Sequence, residues 1–363
     1  MRILHVFRSP VGGLFRHVRD LVKAQSDYGH DVGLYCDSAT GGQNAVDLFS
    51  KTACHYNLGV TREAMSKLPG LGDITCSLRT LSLARNLNVD IIHGHGAKGG
   101  LYARFAAKLG GKAGVYTPHG GSLHYEWNKF PGPIFLGTEW LLRKSNSGIV
   151  FVCEFEKQLF DHKIGLGACK SVVVHNGLWP DEFSNVPAPS SGCDILFVGE
   201  MRYLKGVDVL LRAIALLKPQ RIVTATLVGD GPDTSTFKKL ADELGISKQV
   251  NFAGLMRMPE AVNLGRIFVM PSRNESFPYV MLEAIAAHKP FIGSNVGGIS
   301  EVVPKSQLCA PDHPAELARL IEKTLDQPNL AAKQAGVLAA QLMQGNTVTA
   351  MATQILAFYK SCL

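Results

Sequence analysis

Short apolar runs recur along this chain at the spacing of strands separated by helices. The first reads Ile3-Leu4-His5-Val6-Phe7; after a glycine turn, apolar residues at Leu14, Val18, Leu21 and Val22 mark one face of a helix starting near Leu14. Runs at Asp31–Cys36, Ile91–His93, Gly114–Thr117, Gly148–Val152 and Val172–Val174 keep the same rhythm. Continuous Val/Ile runs between helices, without polar alternation, predict a parallel sheet covered on both faces. The stretch 186–192 reads Val-Pro-Ala-Pro-Ser-Ser-Gly, which neither a helix nor a central strand tolerates well, and it is read as a linker. A second α/β series follows at Asp194–Gly199, Thr226–Gly229, Val250–Phe252, Ile267–Met270 and Phe291–Gly293. The expected fold is therefore α/β, two doubly wound Rossmann-like domains facing each other across a cleft. They would span residues 1–185 and 193–345, with 186–192 between them. Residues 346–363 carry an apolar stripe through Ile355, Leu356 and Phe358 and are expected to close the chain as a helix packed on a domain surface, the N-terminal domain being one choice.

A length of 363 residues supports two cores. With 46% hydrophobic and 18% charged residues the composition is that of a well-packed protein and excludes disordered or fibrous classes. The net charge of +7 is unevenly placed: residues 1–180 hold 20 Lys/Arg against 13 Asp/Glu, and residues 181–363 hold 17 of each. A basic first half suits an anionic acceptor or membrane surface. No lysine/arginine run interleaved with aromatics marks a nucleic-acid groove, so nucleic acid is not an expected partner. The eight cysteines form no CxxC pair and no metal-ligand spacing, as expected of reduced thiols in a cytoplasmic protein. Arg2 and His5 interrupt anything like a signal-peptide core, and no apolar stretch of about 18 residues is present, so membrane contact would be peripheral.

Candidate chemistry concentrates in Asn274-Glu275-Ser276-Phe277-Pro278-Tyr279-Val280-Met281-Leu282-Glu283. A helix opened by Pro278 leaves Glu275 in the preceding loop and Glu283 one to two turns in. Carboxylates there can accept from sugar or ribose hydroxyls while the helix N-terminus receives a diphosphate; a capped, solvated helix would carry the same spacing. Gly199-Glu200-Met201-Arg202-Tyr203-Leu204-Lys205-Gly206 places two cations, Arg202 and Lys205, just after a strand, where they can clamp a diphosphate. Gly12 and Gly13 occupy the first strand-to-helix turn, where backbone N–H groups can approach a ligand. The pair is not GxGxxG, which weighs against a dehydrogenase. His119, in Thr117-Pro118-His119-Gly120-Gly121, follows a strand and should project at the C-terminal end of a sheet, where open α/β sheets bind ligands. His93 and His95 are similarly placed, but no carboxylate completes a metal set with them. No Asp-x-Asp pair occurs either, so no metal is expected to hold a diphosphate, and cations with helix N-termini must neutralise it.

Taken in order, Gly12-Gly13, Pro118-His119-Gly120, Val174-His175-Asn176-Gly177, Gly199–Gly206, Glu275–Glu283 and Gly297-Gly298-Ile299-Ser300-Glu301 resemble the retaining nucleotide-sugar glycosyltransferases of family 4, which have the GT-B fold. The likeness spans nearly the whole chain and is strongest from Cys193 to Val303. It implies metal-independent transfer of a hexose from a nucleotide diphosphate sugar, without a cofactor, to a glycan or lipid-linked acceptor, as in bacterial surface polysaccharide or lipopolysaccharide synthesis at the cytoplasmic membrane face. It further implies that Arg202 and Lys205 neutralise the diphosphate, that Glu275 holds sugar hydroxyls and Glu283 the ribose, and that the amides of Ser276 and Phe277 meet sugar or phosphate. Gly12 and Gly13 would close over the donor, and His119 would contact the transferred sugar. In the family the departing phosphate is thought to take the acceptor's proton on the same face, so no side-chain base is required. Ser276, where many relatives carry glycine or another small residue, and His175, where relatives often have proline, depart from the pattern. A non-catalytic sugar-nucleotide or carbohydrate-binding protein is the alternative from another class; a sugar-nucleotide epimerase shares the architecture without these motifs.

Overall fold

The computed structural model describes residues 1–145, 147–184 and 192–363. They form two compact units, Met1–Asn176 with Val348–Leu363, and Gly177–Thr347. The chain leaves the first unit at Asn176, ahead of the Pro-rich stretch 186–192, which apart from Gly192 lies outside the described residues.

In the first unit the strands are β1 (Arg2–Phe7), β2 (Asp31–Asp37), β3 (Val60–Glu63), β4 (Ile91–His95), β5 (Ala113–Thr117), β6 (Gly148–Phe151) and β7 (Ser171–Val173). They lie in the order β3-β2-β1-β4-β5-β6-β7, all parallel. The second unit contains β8 (Cys193–Val198), β9 (Ala225–Val228), β10 (Val250–Gly254), β11 (Gly265–Met270), β12 (Phe291–Ser294) and β13 (Leu308–Cys309) in the parallel order β10-β9-β8-β11-β12-β13. Both sheets are doubly wound α/β, as the apolar runs predict. β3 and β13 are the strands that pattern alone does not reveal. The first is an edge strand with all four residues half-buried, and the second has only two residues, so neither presents a continuous apolar run.

Each central strand is sealed from both sides, for example Ile3, Leu4 and Val6 in β1 and Ile195, Leu196 and Phe197 in β8. The final helix, Val348–Cys362, belongs to the first unit, where Phe358 meets Gly148 so closely that a Cβ there would lie 2.5 Å from the Phe358 ring. Two helix starts differ from expectation. The first helix begins at Gly12, which takes φ +69°, rather than near Leu14. Pro278 sits one residue before the helix Tyr279–Ala286: its φ of −76° suits a first helical residue, but its ψ of 129° makes it the extended cap. Among the described residues, no helix is long and apolar enough to cross a membrane.

Strand order reverses between β1 and β4 in the first sheet and between β8 and β11 in the second. At such switch points the loops leaving adjacent strands diverge to opposite faces and open a crevice beyond the carboxyl ends, where ligands bind in this architecture. The loops that leave β8 and β11 are the ones that carry Lys205 and Glu275.

Candidate functional site

In the second unit Lys205 Nζ lies 2.6 Å from Glu275 Oε1, and Ser272 Oγ donates to the same oxygen at 2.7 Å. The Glu275 side chain is 8% exposed and that of Lys205 28%, so the carboxylate is largely enclosed while the ammonium keeps a solvent-facing side. A charge-assisted bond of this length is strong and directional. The loops come this close because two glycines permit it. Gly206, at φ +67°, would put a Cβ 1.9 Å from the Pro271 carbonyl oxygen; Gly297, at φ +58°, would put one 2.2 Å from the Glu275 carbonyl oxygen. The Gly298 amide donates to the Ser276 carbonyl at 2.7 Å, so the 297–298 turn seats directly on the glutamate loop.

Arg273 braces this arrangement. Its guanidinium donates to both Asp208 carboxylate oxygens at 2.8 and 2.7 Å, to Asp312 Oδ1 at 2.6 Å and to the Tyr203 carbonyl at 2.5 Å, and it stacks 3.8 Å from the Tyr203 ring. Those bonds, Asp208 foremost, hold the guanidinium pKa above its ordinary value. Arg273 thus ties the 3-10 turn Tyr203–Lys205 to the loop after β11 and fixes Lys205 opposite Glu275. Arg202 is placed differently: its guanidinium pairs with Glu200 at 3.2 Å, with both side chains well exposed. Glu283 is the fifth residue of its helix and half-buried, and Ser276 is half-buried in the preceding loop. The Phe277 side chain is 3% exposed and packs in the interior, leaving only its backbone for a ligand role.

The first unit holds the other predicted residues. Gly12 and Gly13 are exposed at the start of the helix Gly12–Asp27, preceded by Val11, which supplies no capping side chain. His119 follows β5 at φ +53°, a strained conformation for a non-glycine residue. The Gly120 amide donates to Glu156 Oε1, and Glu156 Oε2 accepts from the Val152 amide at 3.0 Å, anchoring this turn on a buried carboxylate.

His119 is part of a cluster. Its Nε2 is 3.1 Å from His95 Nδ1; His95 Nε2 is 2.9 Å from His5 Nδ1; His5 Nε2 is 2.8 Å from Gln25 Oε1. His93 contacts the Tyr359 hydroxyl at 2.5 Å and Thr117 Oγ1 at 2.8 Å, and His17 Nδ1 is 2.9 Å from Asn176 Oδ1. Burial lowers the pKa of His5 and of His17 to about 4, against the opposing hydrogen bonds from Gln25 and Asn176. It also drives His93, His95 and His119 well below 6.5, with neighbouring histidines adding to the effect. All five rings are neutral at pH 7.

Of the residues singled out from the sequence, Lys205 and Glu275 meet each other and His119 joins a histidine cluster, whereas Ser272, Arg273, Asp208, His5, His17, Gln25 and Tyr359 are not among those singled out. Arg273 could have been found from its place two residues before Glu275. The others have no local signal, because register and helix packing bring them together. β1 and β4 pair His5 with His93, and the helices Gly12–Asp27 and Val348–Cys362 supply Gln25 and Tyr359.

Comparison with known proteins bears on this geometry. Residues 11–182 match the model of Glycosyltransferase Family 4, and residues 181–336 that of Glycosyl transferases group 1. The chain is 27% identical to the glycogen synthase of Mycobacterium tuberculosis over 90% of its own length and 85% of that protein. It is 28% identical to the D-inositol 3-phosphate glycosyltransferase of Streptomyces scabiei over 69% of its own length and 63% of that protein. Among solved structures, Anabaena Alr3699/HepE in complex with UDP and glucose aligns with TM-score 0.84 at 21% identity, covering 99% of this chain and 100% of that one. The apo form of the lipopolysaccharide outer core galactosyltransferase WaaB aligns with TM-score 0.72 at 19% identity, covering 99% of this chain and 100% of that one.

Proposed function

The chain belongs to glycosyltransferase family 4 and has the GT-B fold, and on that premise we propose that it moves a hexose from a nucleotide diphosphate sugar to a glycan or lipid-linked acceptor with retention of anomeric configuration. The observation that carries this reading is the Lys205–Glu275–Ser272 contact at the switch point of the second sheet. An enclosed carboxylate suits sugar hydroxyls, and a half-exposed ammonium beside it suits a diphosphate. The UDP complexes of HepE, a structure of the same fold, support a nucleotide sugar as donor.

On this reading Lys205 leaves Glu275 for the diphosphate, and Arg202, whose exposed pair with Glu200 is weak, joins it. The amides at the start of the helix Tyr279–Ala286, with those of Ser276 and Phe277, add partial positive charge as the leaving group develops its negative charge. These groups supply the neutralisation that a metal provides elsewhere, so transfer proceeds without one at the diphosphate. Glu275, freed from Lys205, accepts from the sugar hydroxyls, and Glu283 from the ribose. The departing phosphate oxygen takes the acceptor proton on the face that the acceptor enters, and His119 meets the transferred sugar through Nδ1. The basic excess of residues 1–180 fits a lipid-linked or anionic glycan acceptor and peripheral contact with an anionic membrane on its cytoplasmic side, in bacterial surface polysaccharide or lipopolysaccharide synthesis.

A thermal-shift panel of UDP, GDP, ADP and their sugar conjugates, with and without EDTA, tests the donor site, paired with nucleotide release in the presence of candidate acceptors. Stabilisation by one nucleotide, insensitive to EDTA and weakened in Lys205→Ala, is the expected result. Binding without transfer or hydrolysis of any donor would mark a binding protein instead.

A further inference from the structure

We propose that His17, His95 and His119 form a binding site for one divalent transition-metal ion of the imidazole-preferring kind, such as Zn²⁺, with a fourth coordination position left open. The site is built from the first unit alone and does not depend on the donor reading.

His17, His95 and His119 each offer one ring nitrogen, and the three nitrogens lie within 4.8 Å of one another. A tetrahedral ion about 2.1 Å from each ligand spreads its nitrogens about 3.4 Å apart, and the 3.1 Å between His95 Nδ1 and His119 Nε2 is already close to that. The three rings are mutual neighbours, with centroids 4.7 Å apart for His17–His119, 5.6 Å for His17–His95 and 5.4 Å for His95–His119.

Hydrogen bonding decides which of these nitrogens carry lone pairs. Gln25 donates its amide N–H towards the Tyr359 hydroxyl, so its oxygen accepts from His5 Nε2–H. His5 Nδ1 is then bare and accepts from His95 Nε2–H, which leaves a lone pair on His95 Nδ1. Asn176 Oδ1 can only accept, so His17 carries its proton on Nδ1 and a lone pair on Nε2. That His17 Nε2 atom is buried and has no hydrogen-bond partner, which is costly for a polar atom unless something occupies the position it faces. Asn176 and His5 therefore do for His17 and His95 what outer partners do for metal-bound histidines: they fix tautomer and ring orientation. His119 needs only to shift its proton from Nε2 to Nδ1, and as the half-buried member of the set it gives an ion its way in.

A second trio, His5, His93 and His95, is equally compact but does not fit. Its nitrogens are spent on one another, and both nitrogens of His93 are engaged by Tyr359 and Thr117. The ion would not act at the donor's diphosphate, which is assigned to Lys205.

The test uses the full-length chain stripped of metal with a chelator and then freed of the chelator. Co²⁺ alone is titrated and followed by visible absorption, then displaced with Zn²⁺. The expected result is one equivalent bound, with the visible bands of a low-coordinate nitrogen and oxygen site and no thiolate charge-transfer band. His17→Phe should abolish this binding while leaving the near-UV circular dichroism of the metal-free protein unchanged. Asn176→Leu should weaken it about 10–100-fold, the range typical of outer partners. Should His17→Phe fail to fold, the half-buried His119→Ala replaces it with the same expectation. Absence of stoichiometric binding to the wild type overturns the proposal. So does binding through thiolates, or binding that survives the histidine substitutions.

Discussion

Arg104→Met tests whether a buried ion pair holds the His119 turn in place. Arg104 and Glu139 are 0% and 2% exposed, with Arg104 Nη1 2.8 Å from Glu139 Oε2. The approach is close but poorly aligned, for neither Arg104 Nη1, Arg104 Nη2 nor Glu139 Oε2 makes a hydrogen bond. Arg104 donates from Nε to the Gly100 carbonyl at 2.8 Å and stacks 4.1 Å from the Tyr116 ring. Glu139 Oε1 accepts from the Tyr116 hydroxyl at 2.8 Å and from Ser122 Oγ at 2.9 Å, and Ser122 lies within the turn that begins at His119. Removing the guanidinium leaves a buried carboxylate with two hydroxyl donors and no counter-charge. Breaking one side of such a pair costs about 3–5 kcal/mol, and the two remaining donors argue for about 3. For a folding unit the size of the first, Met1–Asn176 with Val348–Leu363, that lowers its Tm by roughly 6–12 °C. Arg104→Met with Glu139→Gln removes both charges yet keeps an oxygen for Tyr116 and Ser122, and should return to within about 1 kcal/mol of wild type. Urea unfolding followed by far-UV circular dichroism and tryptophan fluorescence, compared at constant m-value, measures all four corners of the cycle. A single substitution costing less than about 1 kcal/mol, or a double no better than the single, would show that Arg104 and Glu139 do not act as a pair.

Lys205→Ala should lower kcat for nucleotide release by roughly 10²–10³ with little change in unfolding midpoint, as expected for loss of one group aimed at developing charge; an equal loss from Arg202→Ala with Lys205→Ala near wild type would reverse their assigned weights. Gly206 and Gly254 both adopt positive φ, +67° and +73°, but a Cβ at Gly254 meets nothing within 4 Å. Gly254→Ala should therefore cost about 1–2 kcal/mol from backbone strain alone, whereas Gly206→Ala, which drives a methyl into the Pro271 carbonyl, should cost more and weaken nucleotide binding in a thermal-shift assay. Asp73 is pushed up by burial but pulled further down by bonds from Lys98 and Tyr102 and from the Gly70 amide, so its folded pKa lies below 3.8. Its contribution is present above the unfolded value of about 3.9 and is lost as pH falls through the lower folded value. The stability gap between wild type and Asp73→Asn should be full at pH values from about 7 to about 5 and shrink near about 3; a gap constant across urea midpoints at those three pH values would contradict this.

How much of this was legible beforehand follows from the range of each interaction. A buried parallel strand writes itself as a local apolar run, so both sheets could be read, while β3 and β13, being an edge strand and a two-residue strand, could not. Glu275, Lys205 and the positive-φ glycines stand out because turn chemistry is also local. The Arg273–Asp208–Asp312 clamp joins residues 65 and 39 positions apart, and the Gln25–Tyr359 contact spans 334. Nothing in a window of ten residues records such a pairing. The same holds for His5, which in sequence is a polar interruption of an apolar strand and in the fold lies beside His93 at the centre of the sheet.

The two switch points have been filled in opposite ways, and the difference is itself informative. Beyond β8 and β11 the polar groups are charged and compensated by one another, with one face of Lys205 left to solvent; such a pair exchanges partners easily when an anion arrives. In and beside β1 and β4 they are neutral imidazoles, each with its proton placed by an amide, a hydroxyl or the next ring, and the chain of tautomers ends on the partnerless nitrogen of His17 and the half-buried His119. A fold that wanted only to bury those positions would use leucine and valine, as it does elsewhere in the same strands. Spending five histidines with no carboxylate among the hydrogen bonds that link them yields a set of directed lone pairs, and directed lone pairs are what a metal ion recognises.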